Sequence, residues 1–415
     1  MKFLVKSLLA LAAPVVCLFL VEGALAFLDY PAGPVKPAAH TPNMSEVRES
    51  IEFRYEFATN SQGLRYREVP LERTPGTARI LALGDAYTEG WGVDAPDRFT
   101  NRLERRFMAD GRQVEIINGG LSTRTAKDFA RLFREVGLKY QPDAVLISIF
   151  ANDLIESDTS DAEQPYASSP GIKGRVKRLL PRSFTLVDGM RQQPAEPPVR
   201  RARDFISDVT AQARRRGMSQ DSIQAWLDSL PPDIVAVINS DNFHVHTVST
   251  GLLHPNFWAD TIQLEASDSD RKWQNMAHAL NAIADMAADE DIEVALVYQP
   301  VHFQYDPATH SADYLAVQTG TVVKREWLQE TSEGELRLQT WAAERQIPFM
   351  SLTPTFRAAV PSAEPLDFAI DGHWTEAGHA VAADGLEQWL REDDVFSVTR
   401  GAANTARRPD VALAD

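Results

Sequence analysis

The stretch RILALGDAYTEGWGVD, Arg79 to Asp94, closes an apolar run with Gly84-Asp85 and a turn of small residues. A strand-to-helix turn of that kind presents one side chain to a cleft, the natural place for a nucleophile. Position 86 is alanine, and a methyl group can neither attack a carbonyl nor accept an acyl group. Other residues with chemical potential follow. His244 and His246, with His254 nearby, have a spacing found in metal sites, but no carboxylate motif accompanies them. Trp258 and Trp273, near Phe243 and Phe257, suit either a sugar-stacking wall or the small core of an insertion, and core packing is the expected use. GDAYTEGWG is not a nucleotide-binding fingerprint, because it lacks G-x-G-x-x-G and Asp85 would repel a phosphate.

The elements that must hold such residues are legible as a strand–helix alternation from Arg79. RILALG reads as a strand, and Phe99, Leu103 and Phe107 give the next segment the spacing of one helix face. VEIIN reads as a second strand. A Thr125-x-x-Asp128 cap opens a helix with Phe129, Leu132, Phe133 and Val136 on one face. DAVLISIF, Asp143 to Phe150, is a continuous apolar strand of the kind buried on both sides. The alternation then lapses. Ser157 to Val199 reads as a loop, Ala202 to Ile238 as helical with a break at Pro231-Pro232, and Asn239 to Glu265 as mixed and aromatic. It resumes with a helix at Asp270 to Ala288, the strand IEVALVYQP, a helix after Ser332-x-x-Glu335, a short strand at IPFMSL and a last helix, Glu376 to Arg391. Repeated βα units imply a mostly parallel sheet with helices on both faces. Sites in such sheets lie beyond the carboxyl ends of the strands, where GDAYTEG, NGGLS and FANDL fall.

Taken together, four segments in order resemble the blocks of the SGNH hydrolases, also called GDSL lipases or esterases. GDAYTEGWGV resembles the first block, NGG (Asn118 to Gly120) the second, FANDL (Phe150 to Leu154) the third and DGHWTEAGH (Asp371 to His379) the last. The resemblance covers roughly Arg79 to Ile155 and Ile292 to Leu390. It implies an α/β fold, a flavodoxin-like three-layer sandwich with a mostly parallel sheet, here with a helical insertion. It also implies hydrolysis or transfer of O-acyl groups on glycans, lipids or small esters, with no metal or organic cofactor. In that reading His373 is the base and Asp371 its orienting carboxylate. The Asn152 side chain with the backbone amides of Gly120 and Ala86 forms the oxyanion hole. The bland alternative makes Asp371 a turn residue, His373 a surface histidine and Asn152 a strand-end cap.

Two positions depart from the family pattern. Phe150 stands where the third block has glycine, a packing change that leaves Asn152 in place. Ala86 stands at the nucleophile position, as a natural loss or as an introduced change of the kind that traps a substrate. Tyr87, Thr88 and Ser122 are the candidate substitute nucleophiles. The expected activity is therefore low. The alternative is a non-catalytic binding module for an acylated glycan or lipid on the same fold, and a third is a structural envelope protein.

Composition narrows the partners. A net charge of −16 on 415 residues argues against nucleic acid, although Lys173, Arg175, Lys177, Arg178 and Arg182 form a local basic run. Cys17 is the single cysteine, so no intrachain disulfide or cysteine metal site can form. Lys2 and Lys6 flank SLLALAAPVVCLFLV, followed by Ala24-Leu25-Ala26, the layout of an export signal or membrane anchor. The expected organisation is a signal or anchor at 1–28, an extension at 29–78 that reads as a lead-in hairpin or edge segment, the hydrolase-like domain at 79–156 and 270–395, an insertion at 157–269 (loop plus helical cap) and a disordered tail at 396–415.

Overall fold

The computed structural model describes residues 17–27, 37–50, 52–156, 179, 180, 182, 183, 205–232, 235, 246–312, 314–361 and 364–399. The chain divides into two compact units, Met1–Pro37 with Asp158–Arg200, and Ala38–Ser157 with Arg201–Asp415.

The second unit is built on a five-stranded sheet. An antiparallel hairpin precedes it, β1 (Ser45–Glu49) paired with β2 (Arg54–Ala58). The sheet strands are β3 (Ala78–Gly84), β4 (Val114–Gly120), β5 (Ala144–Phe150), β6 (Glu293–Gln299) and β7 (Phe349–Ser351). They lie in the order β4-β3-β5-β6-β7, and every pairing is parallel. Counted within the sheet this is the 2-1-3-4-5 order of flavodoxin-like folds, whose switch point lies between the first and third strands. Here that crevice opens between the ends of β3 and β5. β5 is buried along its whole length, which is why its sequence shows no polar alternation.

The helices follow from the apolar spacing. α1 (Phe99–Ala109) buries Phe99, Leu103 and Phe107, and α2 (Ala126–Glu135) buries Phe129, Leu132 and Phe133. The Thr125–Asp128 capping box forms, with Asp128 Oδ2 accepting from the Thr125 N–H at 3.2 Å. The chain returns through α3 (Ser269–Asp289), α4 (Glu333–Glu344) and α5 (Glu376–Glu392). α1 packs with α5, and α2 with α3. This grouping is what right-handed crossovers require, since the β3–β4 and β4–β5 connections run in opposite directions along the sheet.

Some sequence expectations need revision. The expected break before Pro231 is present, with Leu230 as the C-cap, and a second one precedes it between Phe205–Arg215 and Gln220–Ser229. Gly217 takes φ +82° there, and the Ser219 side chain caps the second helix. These helices bury Val209, Ala213, Ile223, Trp226 and Leu230 in a small cluster of their own with Leu252. Trp258 and Trp273 instead pack against the main core. The tail boundary at 396 is too early, because Phe396 is fully buried and a 3-10 turn spans Ser397–Thr399. The loop expected at 157–199 lies almost wholly outside the described residues, as does the tail from Arg400.

In the first unit, residues 17–27 form a helix with Leu18, Phe19, Leu20 and Val21 exposed. The Glu22 carboxylate accepts from the backbone N–H groups of Arg182 at 2.9 Å and Ser183 at 2.8 Å. No described helix is long and apolar enough to cross a membrane.

Candidate active site

A cavity of about 280 Å³ lies beyond the carboxyl ends of β3 and β5. Ala86, Asn152, Asp371 and His373 all line it, so the fold brings these sequence-predicted positions to one place.

β3 ends at Gly84, where a Cβ would meet Thr88 Oγ1 at 2.1 Å and the Ser148 carbonyl at 3.0 Å. Asp85 follows and caps the short helix Ala86–Glu89, its Oδ1 accepting from the Tyr87 N–H at 3.0 Å. Burial pushes the Asp85 carboxyl up to about 6, against the pull of His373. Ala86 is thus the first residue of that helix, and it lines the cavity. Tyr87 stacks on Phe150 at 4.0 Å and lies 4.7 Å from the His373 ring. Phe150 thus uses its ring as a packing surface for Tyr87, a contact that glycine could not make.

His373 and Asp371, the base and carboxylate expected from the sequence, come from the turn before α5. Phe368 and His373 close this turn by the Phe368 N–H to His373 carbonyl bond of 2.9 Å, and Gly372 supplies φ +85°. His373 Nδ1 lies 2.5 Å from Asp371 Oδ1. The other carboxylate oxygen, Oδ2, accepts from Trp91 Nε1 at 3.2 Å. Tyr87 Oη donates to the Gly372 carbonyl at 2.8 Å. Burial works against a charged His373 ring, but the charge and hydrogen bond of Asp371 outweigh it and the pKa is raised. This is the electrostatic state of a base ready to take a proton.

The oxyanion positions divide. Asn152 lines the cavity, at the turn after β5. Gly120 does not, which corrects the sequence reading. Its N–H donates to Asn118 Oδ1 at 3.0 Å, and its α-carbon is pressed on the Thr88–Glu89 backbone, where a Cβ would meet the Glu89 nitrogen at 2.0 Å. The loop reaches the cavity three residues later. Thr123 lines it with φ +61°, a rare conformation for a β-branched residue. Its N–H makes no hydrogen bond among the described residues. Nothing in its residue type signals this, and a glycine would have.

Of the candidate substitute nucleophiles, Tyr87 and Ser122 line the cavity but are held by other hydrogen bonds, and Thr88 does not line it. Thr88 is fully buried against Gly84 and outside the cavity lining. Ser122 Oγ donates to Glu89 Oε2 at 2.5 Å. Burial opposes a charge on Glu89, but the bonds from His40 and Ser122 prevail and hold its pKa at about 2. A carboxylate that weak as a base cannot usefully activate the serine. Tyr87 is committed to Gly372. For the histidine group, His244 lies outside the described residues, as does the His246 side chain, and His254 Nε2 pairs with Arg216 Nη1 at 2.7 Å. Among the described residues no three His, Cys, Asp or Glu side chains are grouped to hold a metal ion.

The family model for the GDSL-like lipase/acylhydrolase family matches residues 82–257, which hold Ala86, Gly120 and Asn152 but not the Asp371–His373 turn. No curated protein matches the chain. Similar solved structures include TesA, at 12% identity over 75% of this chain and 98% of that one, with a TM-score of 0.36. A catalytic mutant of an acetylxylan esterase from Geobacillus stearothermophilus is 14% identical over 75% of this chain and 94% of its own, with a TM-score of 0.35. A lipase/acylhydrolase from Enterococcus faecalis is 12% identical over 76% and 95%, with a TM-score of 0.33. Through residues 82–257, less than half of its length, the chain is similar to the GDSL-like lipase/acylhydrolase family, with alanine at position 86.

Proposed function

We propose that this chain is an SGNH-type ester hydrolase of the cell envelope whose cavity receives an O-acyl ester of a glycan, lipid or small alcohol. As it stands, it turns that ester over slowly or not at all. The observation that carries the reading is the 2.5 Å His373–Asp371 pair beside the same cavity as Ala86 and Asn152. A triad lacks only a hydroxyl there. With one supplied at position 86, oxygen attacks the carbonyl carbon as His373 takes its proton. The oxyanion that forms is met by Asn152 and the Thr123 N–H. Collapse expels the alcohol, protonated by His373, and water then releases the acid by the same route.

Ala86→Ser is expected to create activity on a short activated ester, and His373→Ala added to it should abolish the gain. The parent should be slower by as much as about 10⁶-fold, the cost of a missing nucleophile in an assembled triad. Fast turnover by the parent that falls with Ser122→Ala would reveal a substitute nucleophile. An inert Ala86→Ser variant across a broad ester panel would favour the second reading, a binding module for acylated ligands. That reading draws on the Ala86 methyl group alone.

The envelope placement draws on the basic, apolar N-terminal segment and on the exposed apolar side chains of helix 17–27. Either a cleaved signal or a retained anchor puts the second unit outside the cytoplasm. A periplasmic phosphatase fused at position 60 should be active. A working cytoplasmic reporter there overturns the placement.

A further inference from the structure

One wall of the cavity carries a polar group that the proposed chemistry does not use. His302 is only 6% exposed and lines the cavity with Trp258, Tyr314 and Ala316. Among the described residues neither Nδ1 nor Nε2 has a partner that meets hydrogen-bond geometry, although the Gly372 carbonyl lies near enough to pull the imidazole pKa upward. Its ring packs against Gly372, whose carbonyl already accepts from Tyr87. Burial without partners is costly for an imidazole, and a native core rarely leaves both nitrogens unmet unless something else fills them.

Its surroundings define what that could be. Trp258 meets the ring edge-on with centroids 6.2 Å apart, and Tyr314 does so at 5.0 Å. Burial pushes the imidazole down to about 3, with only the Gly372 carbonyl pulling the other way, so the ring is neutral at ordinary pH. A neutral imidazole offers one donor and one acceptor. An anion would meet an acceptor nitrogen, and a cation a donor. A hydroxyl group satisfies either nitrogen. The flat faces of Trp258 and Tyr314 suit the C–H face of a saturated ring. At about 280 Å³ the cavity is at the small end of ligand pockets, which favours one ring with a short acyl group over a long chain.

We propose that His302, Trp258 and Tyr314 form the alcohol-side subsite of this cavity and bind the ring of a polyhydroxylated alcohol, with His302 hydrogen-bonded to one of its hydroxyls. The assignment rests on the ester-site reading above and narrows it to short-chain esters of ring polyols.

The parent chain, with Ala86, can be titrated without consuming ligand. The probes are a panel of mono-O-acetylated methyl pyranosides and cyclohexylmethyl acetate, a hydroxyl-free ester of similar shape, followed by calorimetry and by the ¹⁵N resonances of His302. At least one pyranoside should bind about tenfold or more tightly than the hydroxyl-free ester and shift the His302 nitrogens. His302→Phe, which keeps a ring in the wall, should erase that preference and leave cyclohexylmethyl acetate binding within about twofold, which also reports an intact cavity. His302→Gln, with a donor and an acceptor, should keep part of it. Equal or tighter binding of the hydroxyl-free ester, a preference that survives His302→Phe, or no binding by any probe overturns the subsite. If Ala86→Ser is inert while the preference holds, the catalytic reading fails and the subsite stands. If Ala86→Ser is active while the preference is missing, the subsite fails and the catalytic reading stands.

Discussion

The two neighbours of Ala86 hold the site in shape. Asp85 fixes the first helical turn by its cap, and Tyr87 sits between Phe150 and His373 with its hydroxyl on Gly372. None of these contacts needs a hydroxyl at position 86, so the turn keeps its form around a methyl group. The basis for expecting a gain from Ala86→Ser is therefore structural: in the proposed reading His373 is already oriented by Asp371, and only the attacking atom is to be supplied. His373, Asp371 and Asn152 are legible in the sequence because short motifs carry them. Gly120 misleads for a physical reason. A glycine at a strand end is demanded equally by a close backbone approach, and here the Glu89 nitrogen makes that demand. Thr123 and His302 carry no signal. The first adopts a backbone conformation that its residue type resists, and the second meets the site only through β6 and the fold.

At the scale of elements, periodicity exposes the sheet strands and the α1, α2, α3 and α5 helices, because long amphipathic or apolar runs leave a clear pattern. The short pieces between 246 and 262 give none, being too brief to repeat a face. The β1–β2 hairpin reads as a lead-in from its sequence, but its link to the site does not show there. Ser50 Oγ accepts from the Glu52 and Phe53 N–H groups at 3.1 and 3.3 Å and shapes the tip of the hairpin. The Glu52 carboxylate there accepts from Ile370 N–H at 2.9 Å and Asp371 N–H at 2.8 Å. The hairpin thus clamps the turn that carries the base. Glu52→Ala should leave both amides unbonded, at about 1.5–3 kcal/mol per charged hydrogen bond. Amide exchange at Ile370 and Asp371 should quicken by about tenfold or more, with Glu52→Gln between the two. Activity in the Ala86→Ser background should fall in kcat rather than KM. Unchanged exchange at both amides would mean that the turn holds itself.

For the molecule as a whole, the buried ionisable groups set a stability profile with pH. Glu89, held at about 2, contributes stability that is present above its unfolded value of 4.5 and lost as pH falls. His302, held at about 3, acts the same way: its neutral form is fully favourable above 6.5, and the contribution drains away toward acid. Among the described residues five carboxyls run opposite, including Glu52, Asp260 and Glu335, each raised by burial. Asp85 at about 6 and Asp367 at about 8 are raised by burial, so their contributions are complete below 3.8 and vanish as pH rises through those values. The raised His373 adds to the loss above 6.5. Below about 4 the acid-labile groups govern, buried His379 with them, and above about 6.5 only the base-labile groups still change, so stability should peak under mildly acidic conditions and decline toward pH 8. The net charge of −16 adds self-repulsion in the same direction as more carboxyls ionise. Asp367 offers the cleanest test, since Tyr305 Oη donates to its oxygens at 2.6 and 2.7 Å and an amide keeps an acceptor there. The melting temperature of the parent should fall by several degrees between pH 5 and 8. In Asp367→Asn the decline should be shallower, most of all between pH 6.5 and 8. A parent profile that rises over that interval, or an Asp367→Asn profile that parallels it, would mean that Asp367 is already ionised in the folded state.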